Sequence, residues 1–259
     1  MQSYTPAPAT APDRPVWLQL PTFRPRVTQV LLGILVLVFL FGELRLGGPQ
    51  SNDMLFNLGA KNNAAILAGE YWRLLTAMFL HAGFLHIAFN GYALLIFGQQ
   101  VEAFYGPWRF LAIYFIAGLA GSIASFAFSI HDSVGASGAI FGIIGALGAF
   151  FFFHRKLLGG AGRAQLLNAV AMIVLNLILG ISQSGSIDNF AHIGGLIAGG
   201  VAALLLAPRY TPGRALGPDE RLLQDRLPAW APWAITLALF AVEGFLFAVA
   251  LPIAPIPGR

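Results

Sequence analysis

The chain has 259 residues, of which 57% are hydrophobic and only 10% are charged, and its mean hydropathy is +0.73. Water-soluble domains carry about 25% charged residues, so lipid must be the solvent for most of this chain. The net charge of +4 comes without a basic cluster interleaved with aromatics, which argues against a nucleic-acid partner, and the absence of cysteine excludes disulfides, thiolate metal sites and cysteine nucleophiles.

The first 26 residues are rich in proline and predict a disordered cytoplasmic tail. After this tail, the chain alternates between apolar runs and polar connections, and a bilayer span needs about 20 apolar residues. The first run is too long, and too poorly followed by a cleavage site, to be a removed signal peptide. The pattern predicts seven spans, at residues 27–46, 84–104, 109–130, 137–153, 165–182, 189–207 and 231–252.

Two of the connections are more than short loops. Residues 47–83 are half apolar and carry Trp72 beside Arg73, which predicts short helices lying against the outer leaflet. Residues 208–230 form a charged cytoplasmic linker, and residues 231–259 hold the seventh transmembrane helix and a short outer tail. The predicted fold class is an all-α polytopic membrane protein, in which a six-helix core at residues 27–207 is followed by one further helix.

Orientation follows from the distribution of basic residues. If the N-terminus is cytoplasmic, most of the 15 Lys and Arg residues lie on the inner side, and the exceptions are Arg45, Lys61, Arg73 and Arg259. This positive-inside bias predicts a cytoplasmic N-terminus and an outer C-terminus. The chain shows no obvious organelle-targeting presequence, so we expect a bacterial cytoplasmic membrane.

Several polar residues lie inside the predicted spans, where polar groups are costly and tend to mark functional sites. The second span begins with His86 and Asn90, the fourth with Ser137, and the sixth carries His192 one turn after Asp188. All three spans run from outside to inside. At about 1.5 Å of rise per residue, these side chains lie within roughly 10 Å of the outer interface. The sequence thus places them at one depth of one leaflet.

Small residues offer a way to bring two of these spans together. Gly138 and Gly142 form one GxxxG stripe, and Gly195 and Gly199 form another. Such stripes let helix backbones approach closely. If the fourth and sixth helices touch along them, Ser137 comes within hydrogen-bond reach of the histidine that precedes Gly195 by three residues.

Each polar residue also has a structural explanation. Ser137 suits a packed helix start, and His86, Asn90 and His192 suit hydrogen bonds between helices. Asp188 could orient His192 as a triad acid or could simply lie at the helix mouth. A transporter with a polar path is a further alternative, although no pair of broken helices at the bilayer midplane supports it. The other histidines (His81, His131 and His154) resemble interfacial residues without a specific role.

Three segments resemble the rhomboid intramembrane serine proteases: GEYWRLLTAMFLHAGFLHIAFN (69–90), GASGAIFG (135–142) and AHIGG (191–195). They occur in the family's order and on helices of matching number, and the resemblance covers about residues 27–207. It implies a serine endopeptidase without cofactor or metal, acting on transmembrane segments of membrane-protein substrates in the lipid bilayer. No HExxH motif points to a metalloprotease instead. An inactive family member that binds membrane proteins is the remaining alternative.

The resemblance also assigns roles to individual residues. Ser137 would be the nucleophile and His192 its general base, in a dyad without an acid. His86 and Asn90 would donate hydrogen bonds to the oxyanion, together with the backbone N–H of Ser137. Phe141 departs from some members, which have tyrosine packed against the histidine. Structural roles would fall to Trp72, Arg73, Glu102, Gly138, Gly142, Gly195 and Gly199.

Overall fold

The computed structural model describes residues 17–19, 21–45, 51–182, 187–217 and 220–255. The chain divides into two compact units. Residues 1–21 and 208–227 form the smaller one, and residues 22–207 and 228–259 form the larger one. The larger unit is helical and holds every residue to which the sequence analysis assigned a role.

The smaller unit contains a three-stranded sheet, which the sequence analysis did not predict. Its strands are β1 (Trp17–Gln19), β2 (Tyr210–Gly217) and β3 (Glu220–Asp225), in the order β1-β3-β2. Strand β2 pairs antiparallel with β3, and β1 pairs parallel with β3. These strands lie within the segments for which the sequence analysis expected a disordered tail and a charged linker. The expected tail otherwise falls largely outside the described residues.

The larger unit follows the predicted alternation of helices and connections. Its helices are α1 (Arg26–Arg45), α2 (Asn52–Leu58), α3 (Asn63–Leu67), α4 (Arg73–Thr76), α5 (Phe84–Ala93), α6 (Gln99–Tyr105), α7 (Pro107–Phe128), α8 (Ser137–Phe153), α9 (Arg155–Ser182), α10 (Asn189–Leu206) and α11 (Ala231–Ala250). A π-helical segment, Leu94–Gly98, joins α5 to α6. Helix α9 begins ten residues before the predicted span at 165–182.

The described residues contain five helices that are long and apolar enough to cross a membrane: α1, α7, α9, α10 and α11. A sixth span is formed if the bent pair Arg73–Phe79 and Phe84–Tyr105 counts as one. Helix α8 is apolar but has only 17 residues. The protein is thus an integral, mostly helical membrane protein. The exact six-plus-one count stays a prediction.

The long first connection folds into α2, α3 and α4, and Arg73 holds these short helices together. Its side chain is 3% exposed and pairs with Glu70, with 2.6 Å between Nε and Oε2. It also donates hydrogen bonds to the carbonyl oxygens of Phe56 and Ala60. Its guanidinium group lies 4.2 Å from the ring centre of Phe56 and 4.8 Å from that of Trp72. A delocalised cation with several donors suits this many-sided contact.

Glu102 performs a comparable function at the start of α1. The carboxylate is fully buried and accepts hydrogen bonds from the backbone N–H groups of Val27 and Thr28 and from the Thr28 hydroxyl. The first N–H groups of a helix have no partner within the helix and favour a negative charge. Glu102 on α6 therefore anchors the first span to the second.

Candidate active site

Ser137 and His192 are directly hydrogen-bonded. Ser137 is the first residue of α8, and His192 lies in the first turn of α10. The distance from Ser137 Oγ to His192 Nε2 is 2.9 Å, although 55 residues separate them in the chain. With the ring proton on Nδ1, the hydroxyl donates to Nε2. This is the arrangement in which an imidazole can take the proton of a serine nucleophile.

The close approach of α8 and α10 makes this hydrogen bond possible. A Cβ atom added at Gly195 would overlap the carbonyl oxygen of Gly138, and one added at Gly199 would overlap the backbone of Gly142. The two glycine stripes thus face each other with no side chain between them. Because the helices meet at their N-terminal ends, their first-turn side chains are also brought together.

Phe141 fixes the position of the histidine ring. Its ring stacks on that of His192, with 4.2 Å between centroids and 9° between planes. His192 is only 6% exposed, and its Nδ1 atom has no hydrogen-bond partner among the described residues. Phenylalanine in place of tyrosine thus still provides a stacking face, and the imidazole is held by packing and by Ser137.

Asp188 is engaged elsewhere. It is the N-cap of α10, where its Oδ1 accepts a hydrogen bond from the backbone N–H of Ala191 at 3.1 Å. Its Oδ2 accepts a hydrogen bond from the Ser125 hydroxyl on α7. These contacts match a helix cap that also joins two helices.

His86 and Asn90 lie beside the loop that leads into Ser137. A Cβ atom added at Gly135 would lie 2.8 Å from His86 Nε2 and 3.7 Å from Asn90 Nδ2. Gly135 has φ +129°, a conformation that favours glycine. The backbone N–H of Ala82 donates to His86 Nδ1 at 3.3 Å, so the neutral ring carries its proton on Nε2. Both side chains therefore place N–H donors next to Gly135, which precedes Ser137 by two residues.

A small pocket opens beside Ser137. The lining residues include Ala77, Gly118, Ser133 and Gly138. The backbone N–H of Gly135 donates to the carbonyl oxygen of Ala77, which ties the pocket rim to the first connection. Ser137 is thus part of the wall of this pocket.

The structure places two further polar residues here that the sequence analysis left without a role. Lys61 is 1% exposed and lines the pocket, and burial lowers the pKa of its amine to about 8. His81 is also buried and packs edge-on against His86, with 5.0 Å between ring centroids. The sequence analysis expected no specific role for His81, and the structure shows that its ring is buried against His86. The one sequence signal that could have identified Lys61 is that it is the only lysine in the half-apolar first connection, at residues 47–83.

Trp72, Arg73 and Glu102 are not part of this constellation. Trp72 is half exposed and contacts Arg73 in the first connection. Glu102 caps α1 as described above. The contacts of these three residues hold segments next to the site in place.

Comparison with known proteins identifies the same region. The family model described as the rhomboid domain matches residues 68–209. The chain is 45% identical to rhomboid protease GluP of Bacillus subtilis over 183 residues, which is 71% of this chain and 35% of that protein. It is 33% identical to rhomboid-like protease 1 of Toxoplasma gondii over 266 residues, with coverage of 97% and 81%. It is 34% identical to rhomboid protease AarA of Providencia stuartii over 202 residues, with coverage of 69% and 70%.

Several of the relatives are longer than this chain. The chain spans between 34% and 55% of GluP and of four rhomboid-like proteins of Arabidopsis thaliana. The matched region nevertheless includes the serine of α8, the histidine of α10 and the donors of α5.

Proposed function

The chain belongs to the rhomboid family, as its three sequence segments predicted, and we propose that it is an intramembrane serine endopeptidase with a Ser137–His192 dyad. The observation that carries this proposal is the 2.9 Å hydrogen bond between the two side chains, next to the N–H donors of His86 and Asn90. A packing serine would not need a buried imidazole and further donors around it. The substrates are the transmembrane segments of other proteins.

In this mechanism, Ser137 Oγ attacks the carbonyl carbon of the scissile bond while His192 Nε2 takes its proton. The carbonyl oxygen becomes negative and is stabilised by His86, Asn90 and the backbone N–H of Ser137. The imidazolium then gives the proton to the leaving amine, which breaks the peptide bond. Water hydrolyses the acyl-enzyme with His192 again acting as base, so the site must be open to water.

The decisive experiment is labelling of the purified full chain with a fluorophosphonate, which reacts with activated serines. We expect labelling of the unmodified protein and its loss in Ser137→Ala and His192→Ala. Ser122→Ala is the matched control, because Ser122 lines the same pocket on α7, and it should still be labelled. An unmodified protein that is folded but unlabelled, both in detergent and in lipid, would contradict the protease and favour an inactive binding protein or a transporter.

We also infer a bacterial cytoplasmic membrane with the N-terminus inside, which the distribution of Lys and Arg supports. The chain has no cysteine, so single cysteines report topology without background. In whole cells, a membrane-impermeant maleimide should label Ser51→Cys in the first connection and should label Thr211→Cys only after lysis. The reverse pattern would contradict the orientation.

A further inference from the structure

The loop that leads from α7 to Ser137 is fastened to the first connection at alternate residues. The loop residues with backbone groups bonded to that connection are Ser129, His131, Ser133 and Gly135. Lys61 supplies the partners of the first three, and Ala77 supplies that of the fourth. Ser137 follows two residues after the last of these bonds. Its position therefore depends on how firmly the first connection holds the loop.

Asn63 joins the start of this loop to the segment that follows α11. Its side chain is 1% exposed, and its Nδ2 atom donates to the carbonyl oxygen of Pro255 at 2.5 Å. The same atom donates to the carbonyl oxygens of Phe126 at 3.2 Å and Ser129 at 3.0 Å. An amide nitrogen has only two N–H groups for these three acceptors. The position of Pro255 thus affects how Asn63 binds the other two.

Packing and hydrogen bonds hold the end of α11 at this junction. Ala250 is 3% exposed and belongs to the buried cluster that contains Ile66 of α3 and Phe126 of α7. The chain then turns, and the N–H of Ala254 donates to the carbonyl oxygen of Ala250 at 3.0 Å. A shift of this end of α11 would therefore also move the carbonyl group of Pro255.

Insertion of α11 into the membrane does not require this junction. The helix has 20 residues and is apolar enough to span a bilayer by itself, and only Ala231, Glu243 and Ala250 are buried in it. A buried amide that bridges α3, the end of α7 and the segment after α11 is more than an anchor needs, since burying an amide is costly unless it is hydrogen-bonded.

We propose that Asn63 is a positioning residue for the reaction, and that the segment after α11 fixes Asn63 so that the loop holds Ser137 in its reactive position. This inference rests on the proposed protease function, because the step affected is the attack by Ser137. A misplacement of about 1 Å in a catalytic group can lower the rate about 100-fold. Loss of the link should therefore lower kcat in a protein that is still folded.

The first test compares two variants of the full chain in lipid, with a transmembrane substrate and with thermal unfolding measured in parallel. Asn63→Ala should lower kcat by about tenfold or more, with KM within about twofold of the unmodified value. Ser51→Ala is the control, because it removes the cap of α2 in the same connection without touching the loop. It should lower the unfolding temperature and leave kcat unchanged. A normal kcat in Asn63→Ala would overturn the proposal.

The second test displaces α11 and does not depend on whether Asn63→Ala folds. Ala250→Phe overpacks the buried cluster and should lower kcat, whereas Ala248→Phe, at an exposed position of the same helix, should not. The double variant Asn63→Ala with Ala250→Phe should be no slower than the slower single variant, because both break the same link. Effects on kcat that multiply independently would overturn the role of α11.

Fluorophosphonate labelling separates this proposal from the protease function on which it rests. If Ser137 of the unmodified protein is not labelled and no substrate is cleaved, the protease function itself fails. If the unmodified protein is labelled and cleaves, and Asn63→Ala and Ala250→Phe cleave equally fast, only the positioning role of Asn63 and α11 is wrong.

Discussion

At the scale of single residues, the position of Asp188 shows how a plausible role can be reassigned by contacts. One turn of helix separates it from His192, which fits a triad acid as well as a cap. Its two oxygens instead bind the N–H of Ala191 and the hydroxyl of Ser125. Nδ1 of His192 has no partner among the described residues, so packing against Phe141 orients the ring. These contacts support a dyad.

The donors on α5 carry a prediction about rate. His86→Ala and Asn90→Ala should each lower kcat by about 10²–10³, because each removes one hydrogen bond to the oxyanion that forms only during the reaction. KM should change little. The measurement is steady-state cleavage of a reconstituted substrate, with thermal unfolding of each variant as the control for folding.

These two residues would be structural if the variants lost stability and cleaved at the normal rate. If either variant lost cleavage activity as completely as Ser137→Ala, a role limited to stabilising the oxyanion would also be contradicted. The geometry at Gly135 supports a partial loss of rate, since both N–H donors lie beside the loop and the hydroxyl of Ser137 is hydrogen-bonded to His192 and not to either of them.

At the scale of helices, the contact between α8 and α10 determines the site. Gly195 lies against the carbonyl oxygen of Gly138, only one residue after Ser137, the proposed nucleophile. Any atom added there must separate the two helices, and separation at this point lengthens the Ser137–His192 hydrogen bond. The glycine stripes therefore link packing directly to chemistry.

This link predicts a difference between two glycines of the same helix. Gly195→Ala should destabilise the protein by about 1–3 kcal/mol, as expected for overpacking, and should also reduce cleavage. Gly200→Ala is the matched control, since a Cβ atom added there meets no atom within 4 Å. The measurements are thermal unfolding in detergent and the rate of cleavage. Equal behaviour of the two variants would show that close approach of α8 and α10 is not required.

At the scale of the whole membrane-embedded unit, three elements converge on the loop before Ser137. Asn63 of α3 donates hydrogen bonds to the carbonyl oxygens of Phe126 and Ser129 at the end of α7 and to that of Pro255 after α11. Apolar contacts extend this junction, because Ile66, Phe126 and Ala250 belong to one buried cluster. Helix α11 is thereby joined to the connection that leads to Ser137.

The depth of the site predicts the kind of substrate that is cleaved. Ser137 and His192 lie at the beginnings of their helices, near the expected outer interface, and a helical substrate shields its peptide bonds. A transmembrane segment with Gly or Pro in its outer third should be cleaved faster than a polyleucine segment of the same length, since it unwinds more easily. The same breaker in the inner third is the control. Equal rates for all three segments would contradict local unwinding.

The sequence by itself determined the features that depend on local composition. Apolar runs of span length predicted the helices, and Ser137, His192, His86 and Asn90 were identified because polar residues stand out in such runs. The spacing of Gly138, Gly142, Gly195 and Gly199 likewise predicted a close helix contact. Helical hydrogen bonds join residues four apart, so these signals are contained within short windows of sequence.

Only the tertiary structure decided the features that depend on distant partners. Strand β1 pairs with β3, about 200 residues later in the chain, and no local pattern contains that pairing. Lys61 and His81 are polar residues of a surface-like connection, and their burial follows from the packing of that connection onto α7 and α5. The second oxygen of Asp188 binds Ser125 on α7, a partner 63 residues away in the chain. Burial and hydrogen bonding of a polar group are set by its neighbours in space, which the local sequence does not contain.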